Sequence, residues 1–459
     1  MAILPIDSGR YGTSEMLAIF EEQHRVNLQV EIEGAVAAAQ AGIGMIPESA
    51  AREILQASEA RSVTADMIKR LEEKTDHDTA ALVQALGAEC SAQSRPWIHF
   101  GLTSSDLVDT CNSMQMRDAL NIISPKIARL ASLLADLASR YWDLPAVGRT
   151  HGQHASIISF GLKFANWAEE MAEHTKRISG SRDRILICKT LGVVGTGSLM
   201  GPQAITVQTA TAKRLGLRPA AVATQVVPRE RYAEYVFLLA LTGASLEKIA
   251  VEIRNLQRTE IGEVSEQFRS GQMGSSAVPV KRNPIKSERV SSLSRLLRSQ
   301  VQIALENIPL WHERDLSNSA NERFVIPTVS IILDEMLETM IKVVDGLQIN
   351  EDRIRKNLQV TGGQIFAEFV MKAMIKKGVP RMTAYRDVQR IAFDAVKTGT
   401  KYADALAADK SITDVLAKDE IKEIFSPEKH LGASRSIIEG VCRDVKDISA
   451  AGPNKAEYP

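Results

Sequence analysis

The segment RERYAEYVFLLALTGASLEKIAVEIRNLQRTEIGEVSEQF, residues 229–268, decides the fold class. Apolar residues recur in it at spacings of three and four, as at Val236, Leu239, Leu246 and Ile253. That period is typical of one face of an α-helix. If the whole segment were helical it would extend about 60 Å at 1.5 Å per residue, which is longer than one globular layer needs. The segment therefore predicts a bundle of long helices.

Further segments with the same period would complete the bundle. They are residues 115–142, with Pro125 as a kink point, 155–179, 284–306 and 327–347. Shorter helices are predicted before residue 111, with starts near Ser14, Pro47 and Thr64, and again after about residue 350. We therefore predict an all-α fold with three helical domains: residues 1–111, a central bundle at 112–350, and residues 351–459. The small residues Ala240, Gly243 and Ala244 would allow close packing against a further helix.

Composition excludes several classes of protein. The 459 residues carry 56 basic and 56 acidic side chains, and a neutral balance argues against nucleic-acid and membrane partners. The four cysteines have neither zinc-finger nor CxxC spacing, which indicates buried thiols in a reducing compartment. The first residues lack the pattern of a signal peptide. We expect a cytoplasmic protein.

No cofactor motif is present in the sequence. Gly195, Gly197 and Gly201 have the wrong spacing for a dinucleotide fingerprint and no alternating strand–helix pattern around them. His151 and His154 lie three apart without a neighbouring cysteine or acid to complete a metal site. We therefore predict that neither a metal ion nor an organic cofactor is needed.

The most informative stretch is GQMGSSAVPVKRNP, residues 271–284. Two glycines and a pair of serines precede two cations, an amide and a proline that would start a helix. A helix connection explains the glycines and the proline, but it does not explain the crowding of Lys281, Arg282 and Asn283 beside hydroxyl groups. Such a loop next to a helix N-terminus suits an anionic substrate.

This loop is similar to the signature loop of the fumarase/aspartase superfamily. Three segments resemble its adenylosuccinate lyase branch: WIHFGLTSSD at 97–106, RTHGQHA at 149–155 and WHERDLSNSANER at 311–323. Weaker matches are Arg10-Tyr11, His77-Asp78 and Thr224-Gln225. The resemblance implies an all-α homotetramer whose active sites are each assembled from three subunits.

The resemblance also implies a reaction, the anti-elimination of fumarate from N-succinyl nucleotides (adenylosuccinate to AMP, and SAICAR to AICAR). A proton must leave a carbon beside a carboxylate, so cations and hydrogen-bond donors must stabilise the resulting aci-carboxylate. By resemblance, Ser275 is the catalytic base and His151 is the acid that protonates the departing nitrogen. His77 would orient His151 or the substrate.

The same resemblance assigns the substrate contacts. Lys281 and Asn283 would hold the succinyl carboxylates, and Thr103 and Ser104 would donate further hydrogen bonds to them. The phosphate and nucleotide contacts would be Arg10, Tyr11, Arg314, Ser319 and Arg323, where an arginine fork fits phosphate well. Further polar contacts would be His99, Thr150, Gln225 and Glu288. His24, His174 and His430 match no motif and are predicted to lie on the surface.

The sequence departs from the family pattern at Asp76, Ile157-Ile158, Val278 and Val280. An acid at position 76 would repel a nearby phosphate or carboxylate. These departures leave open a paralogue that acts on another succinyl adduct, or the 3-carboxy-cis,cis-muconate cycloisomerase branch, although that branch typically lacks a histidine at the place of His151. Two alternative functions without catalysis are a structural scaffold and a nucleotide-binding regulator.

Overall fold

The computed structural model describes residues 4–269 and 271–451, and it confirms the all-α prediction. The N-terminal helices are α1 Ser14–Phe20, α2 Glu22–Gly42, α3 Glu48–Ala60, α4 Ala65–Thr75 and α5 Asp78–Ala88. The central elements are α6 Ser104–Arg140, β1 Pro145–Thr150, β2 Gln153–Ser159, α7 Gly161–Ile185, β3 Ile187–Cys188, α8 Ala204–Leu215, β4 Arg218–Pro219, α9 Glu230–Leu256, β5 Val264–Ser265, α10 Ile285–Glu306, α11 Ser319–Asp345 and β6 Gln348–Ile349. The C-terminal helices are α12 Glu351–Asn357, α13 Ala367–Lys376, α14 Arg381–Thr398, α15 Tyr402–Ala408, α16 Lys410–Thr413, α17 Lys418–Ile424 and α18 Ser434–Ala451.

Helices α6, α7, α9, α10 and α11 pack together as the central bundle. Gly243 of α9 lies so close to α10 that an added Cβ would be 2.5 Å from Leu297 Cδ1. The small residue is therefore used for packing within the chain. The last helix, α18, packs against α6 and α7, and its Ile438 and Val445 are buried in the bundle core.

The long helices differ in extent from their predicted ranges. Helix α9 ends at Leu256 and is about 40 Å long rather than 60 Å. A turn that includes Gly262, in left-handed conformation (φ 61°), leads from it to β5. Helix α6 begins at Ser104, where the carboxylate of Asp106 accepts a hydrogen bond from the Thr103 N–H at 2.9 Å. It continues through Pro125 and crosses residue 111, the predicted first domain boundary.

The prediction of a helix at residues 155–159 is wrong. These residues belong to β2, which pairs antiparallel with β1 through a two-residue loop, His151-Gly152. Both loop residues have positive φ, 52° and 74°, as a type I′ hairpin turn requires. The hairpin packs through Val147 and Ile157 against a separate C-terminal core that includes Phe366.

The histidines outside the motifs are less exposed than predicted. His174 is buried between α7 and α9, with its Nε2 2.8 Å from Ser245 Oγ, so its placement on the surface is wrong. Burial lowers its pKa to about 4. His24 is half-buried, and so is His430, whose ring stacks on Phe369 at 3.7 Å.

The four cysteines are free thiols, and all except the half-buried Cys442 are buried. Across the described ranges, no helix combines the length and the apolar character that a membrane span requires.

Candidate active site

A cavity of about 630 Å³ lies where the N-terminal helices meet the N-terminal ends of α6 and α11. Sequence-predicted site residues from three separate motifs line it: His77, Ser104, Arg314, Ser319 and Arg323. The rest of its wall is Phe20, Glu22, Arg25, Glu72, Asp76, Asp78, Ser105, Val108, Asp109, Asn112, Gln115, Arg229, Leu316, Asn318, Glu322, Ile326 and Pro327.

The first turn of α11 faces the first turn of α5 in this cavity. Arg323 Nη2 donates a hydrogen bond to Asp78 Oδ2 at 2.7 Å. Burial alone would raise the pKa of Asp78, but the hydrogen bond and charge of Arg323, together with hydrogen bonds from Thr79, hold that pKa below its usual value. The neighbouring His77 caps α5, since its Nδ1 accepts a hydrogen bond from the Ala80 N–H at 3.3 Å.

A chain of side-chain hydrogen bonds joins three predicted substrate contacts. Gln225 Nε2 lies 3.4 Å from Thr103 Oγ1, to which it donates, and Arg314 Nη1 donates to Gln225 Oε1 at 3.2 Å. Thr103 immediately precedes Ser104, so the chain runs along the edge of the cavity. The structure thus brings Gln225 to the residues that line it.

The cavity wall contains a buried charge cluster that sequence reasoning missed. Arg229, next to the start of α9, donates to both carboxylate oxygens of Asp109 in α6 (2.9 Å each) and of Glu322 in α11 (3.0 and 3.2 Å). The three side chains are between 1 and 8% exposed. Burial raises the pKa of Glu322, which the Arg229 charge opposes. Glu322 belongs to the segment 311–323, but nothing in the neighbouring sequence indicates that it is buried against residues distant in the chain.

Negative charge dominates the wall of the described cavity. Six carboxylates face four arginines, and Asp76, a departure from the family pattern, is one of the six. Arg229 already forms ion pairs with Asp109 and Glu322, and Arg323 forms one with Asp78. A strongly anionic ligand would therefore need cations from outside this wall.

The signature loop is absent from the described cavity lining. Ser275 Oγ accepts hydrogen bonds from the N–H groups of Ala277 (3.3 Å) and Val278 (3.1 Å). Asn283 Nδ2 donates to the Gly274 carbonyl at 3.0 Å, which ties the two ends of the loop together. An added Cβ at Gly274 would lie 2.0 Å from the Lys281 carbonyl oxygen, so the loop requires glycine there. Lys281 is exposed.

Thr150 and His151 lie at the exposed tip of the β1–β2 hairpin, and they too are absent from the described lining. Close to this tip the hairpin is held by Arg149, whose two Nη atoms donate to the buried Glu263 at 2.6 and 3.1 Å. Glu288 is exposed in the first turn of α10.

His99 and the Arg10-Tyr11 pair also lie outside the described lining. His99 Nδ1 is 2.6 Å from Glu33 Oε1. Burial would lower the pKa of His99, but the hydrogen bond and charge of Glu33 raise it above 6.5. The Tyr11 ring lies between the guanidinium groups of Arg10 and Arg289, at 5.9 and 5.8 Å.

Among the described residues, no group of three or more histidines, cysteines or acids is arranged to hold a metal ion.

Comparison with known proteins decides the family. Residues 9–298 match the family described as Lyase, and residues 363–441 match the one described as Adenylosuccinate lyase C-terminus. The chain is 40% identical over 445 residues to adenylosuccinate lyase of Methanothermobacter thermautotrophicus, covering 97% of this chain and 99% of that one. The chain belongs to the adenylosuccinate lyase family.

Other comparisons agree with membership of the adenylosuccinate lyase family. Adenylosuccinate lyase of Pyrococcus abyssi is 40% identical over 452 residues, 98% of this chain and all of that one. The crystal structure of 3-carboxy-cis,cis-muconate lactonizing enzyme from Pseudomonas putida superposes with a TM-score of 0.88, covering 97% of this chain and all of that one, at 26% identity. The fold is thus shared with the cycloisomerase branch, whereas the sequence is nearer to the adenylosuccinate lyases. The chain is a C–N lyase.

Proposed function

We propose that this enzyme releases fumarate from adenylosuccinate to give AMP, and from SAICAR to give AICAR. The main support for the proposal is that one cavity is lined by His77, Ser104 and the turn that contains Ser319 and Arg323. These residues come from three separate motifs that resemble the same family. The relatives at 40% identity are adenylosuccinate lyases, which agrees with this substrate.

The nucleotide phosphate binds at the first turn of α11, beside Ser319, Arg323 and Arg314. A hydroxyl group and the free N–H groups of a helix N-terminus suit a phosphate, and the arginines add charge and directed hydrogen bonds. The succinyl group points toward Thr103 and Ser104 at the N-terminal end of α6. Lys281 and Asn283 complete the carboxylate contacts when the signature loop closes.

Ser275 removes the Cβ proton and His151 protonates the departing nitrogen on the opposite face. A serine hydroxyl is a weak base unless its alkoxide is stabilised. The N–H groups of Ala277 and Val278, which already point at Ser275 Oγ, support that role, and Lys281 would add a positive charge. The exposed hairpin tip leaves His151 free to face a substrate held by another subunit.

The active enzyme is a homotetramer in which each site draws its residues from three subunits. Two features support this. The described wall of the one-chain cavity contains neither Ser275 nor His151, and its carboxylates outnumber its arginines although the substrate is an anion. Phe237, Ala244 and Val251 recur every seventh residue on α9 as a partly exposed apolar stripe that a second bundle would cover.

Turnover monitored by ultraviolet absorbance with adenylosuccinate, SAICAR and carboxymuconate in parallel tests the substrate. We expect both succinyl nucleotides to be cleaved. Turnover of carboxymuconate alone would assign the chain to the cycloisomerase branch, and the absence of fumarate release from either nucleotide would contradict the proposal.

Mixing two inactive variants tests the shared site. Ser275→Ala and His151→Asn subunits are dissociated, mixed and reassociated. If Ser275 and His151 come from different subunits, some sites in the hybrids contain both native residues and activity returns. If activity does not return although native mass spectrometry shows mixed tetramers, both residues come from one subunit. A fully active monomer would contradict both the tetramer and the shared site.

A further inference from the structure

The cluster of Asp109, Arg229 and Glu322, here called the Arg229 triad, joins three helices of the bundle in the wall of the cavity. Its four hydrogen bonds are 2.9 to 3.2 Å long, and each carboxylate presents both oxygens to the guanidinium. The Arg229 guanidinium also lies over the Tyr232 ring at 4.7 Å. Two carboxylates keep Arg229 charged in spite of its burial, since their effect on its pKa exceeds that of desolvation.

Both acidic residues of the triad are close in sequence to proposed substrate contacts. Glu322 lies between Ser319 and Arg323 in the first turns of α11, and Asp109 follows Ser104 by little more than one turn of α6. All of these side chains line the same cavity. One guanidinium therefore bridges the N-terminal ends of the two helices.

The triad also holds the segment that carries Gln225. Arg229 Nη1 donates to the Val227 carbonyl at 2.9 Å, and the Val227 N–H donates to Asp109 Oδ2 at 2.8 Å. Two residues earlier, Gln225 connects Thr103 with Arg314. The same arginine is thus linked to α6, to α11 and to the segment that carries Gln225.

We propose that Arg229 is a positioning residue, which sets the phosphate-binding turn of α11 against the N-terminal end of α6 through the bidentate contacts to Asp109 and Glu322. The inference rests on the proposed function for the identity of the ligand. Arg229 does not itself contact the phosphate, because its donors are occupied by the two carboxylates and the Val227 carbonyl. Lysine would keep the positive charge but would lose the planar fork.

The chain offers a matched control. Lys126 Nζ binds Asp334 Oδ1 at 2.6 Å and joins the same two helices, α6 and α11. It lies 17 residues beyond Asp109 along α6, about 25 Å away, and it is outside the described cavity wall. A purely structural role for Arg229 predicts that Lys126→Gln and Arg229→Lys have similar consequences.

The experiment measures KM and kcat for adenylosuccinate, the Kd of AMP by calorimetry, and the thermal midpoint. We expect Arg229→Lys to raise KM and the AMP Kd by about tenfold or more while kcat changes by less than about threefold. Lys126→Gln should lower the thermal midpoint and leave KM and Kd unchanged. An Arg229→Lys enzyme with native KM and Kd, or a Lys126→Gln enzyme with equal increases, would overturn the inference.

If Arg229→Lys does not fold, Glu322→Gln is measured instead. Glutamine keeps the shape and one acceptor, so we expect a smaller increase in the AMP Kd, and no increase would again overturn the inference. Wild-type protein that neither binds AMP nor cleaves adenylosuccinate would refute the proposed function. Wild-type binding of AMP together with unaffected variants would refute only the role of Arg229.

Discussion

Arg323 of α11 and Asp78 of α5 form an ion pair 2.7 Å long in the wall of the cavity. The arginine side chain is 58% exposed and the aspartate 37%. Ion pairs this accessible contribute about 1 kcal/mol or less to stability. Little stability is therefore lost when Arg323 turns from Asp78 to a phosphate group, which is the role proposed for it above.

Replacing Arg323 with Met should raise KM for adenylosuccinate by about tenfold or more and change kcat little, because phosphate is bound similarly in the ground and transition states. Arg218→Met is the matched control, since Arg218 forms a comparably exposed pair with Asp183 at 3.1 Å outside the described cavity wall. Steady-state kinetics that are identical for the two variants would show that the phosphate lies elsewhere.

Removing the hydroxyl of Ser275 should lower kcat by at least about a hundredfold, as expected for a group that transfers a proton. Ser276→Ala, next to it in the same exposed loop, is the control and should retain most of the activity. The decisive measurement is exchange of the substrate Cβ proton with solvent. Wild-type exchange in Ser275→Ala would make another residue the base.

The general acid is tested with His151→Asn, because asparagine tolerates the left-handed conformation that His151 adopts (φ 52°) and the hairpin turn is preserved. We expect kcat to fall by at least about a hundredfold while AMP binding persists. A circular dichroism spectrum like that of the wild type would exclude unfolding as the cause. Native turnover by this variant would shift the role of acid to His77.

Two glycines of α7 should respond in opposite directions to replacement by alanine. At Gly161 an added Cβ would lie 2.4 Å from the Ala138 carbonyl oxygen of α6, a backbone atom that cannot move aside, so we expect a loss of about 1–3 kcal/mol in the free energy of unfolding. At Gly180 an added Cβ would have no atom within 4 Å apart from its chain neighbours and the backbone of its own helix. Alanine there should add about 0.5–1 kcal/mol to the free energy of unfolding. Denaturant unfolding checks both, and equal effects would contradict the close approach of α6 and α7.

The His99–Glu33 pair should make stability depend on pH. Since the folded pKa of His99 is raised above 6.5, the stabilisation is fully present below pH 6.5 and is lost as pH rises through the raised value. Glu33→Gln removes the charge that raises this pKa. The difference in thermal midpoint between wild type and Glu33→Gln should shrink as pH increases, and a difference that stays constant would contradict the assignment.

The sequence predicted the bundle because long helices carry their period in consecutive residues. It placed His77, Ser104, Ser319 and Arg323 in one site only through motif resemblance, since spacing alone cannot bring residues from three distant segments together. The structure gathers these four, and the proposed roles of Ser275, His151 and Lys281 stay predictions, because these three residues lie outside the described cavity lining.

The predictions from the sequence are wrong or incomplete where the structure of a residue depends on a contact with a residue far away in the chain. The apolar residues at 155–159 also fit a helical period, and only pairing with β1 makes these residues a strand. His174 has charged neighbours along α7, yet Ser245 of another helix buries it. The Arg229 triad cannot be predicted from the sequence for the same reason. The residues around Arg229 do not indicate that two acidic residues more than 90 positions away bind it.

Helix α18 has a consequence for how the polypeptide is made. It fills the seam between α6 and α7 with Ile438 and Val445, and Cys442 Sγ lies 3.5 Å from the Ala135 carbonyl. During synthesis the bundle therefore stays incomplete until α18 has left the ribosome, and the apolar sides of two long helices are exposed to water until then. Premature termination after α17 would leave every other helix present and the nascent protein exposed to aggregation and to chaperones.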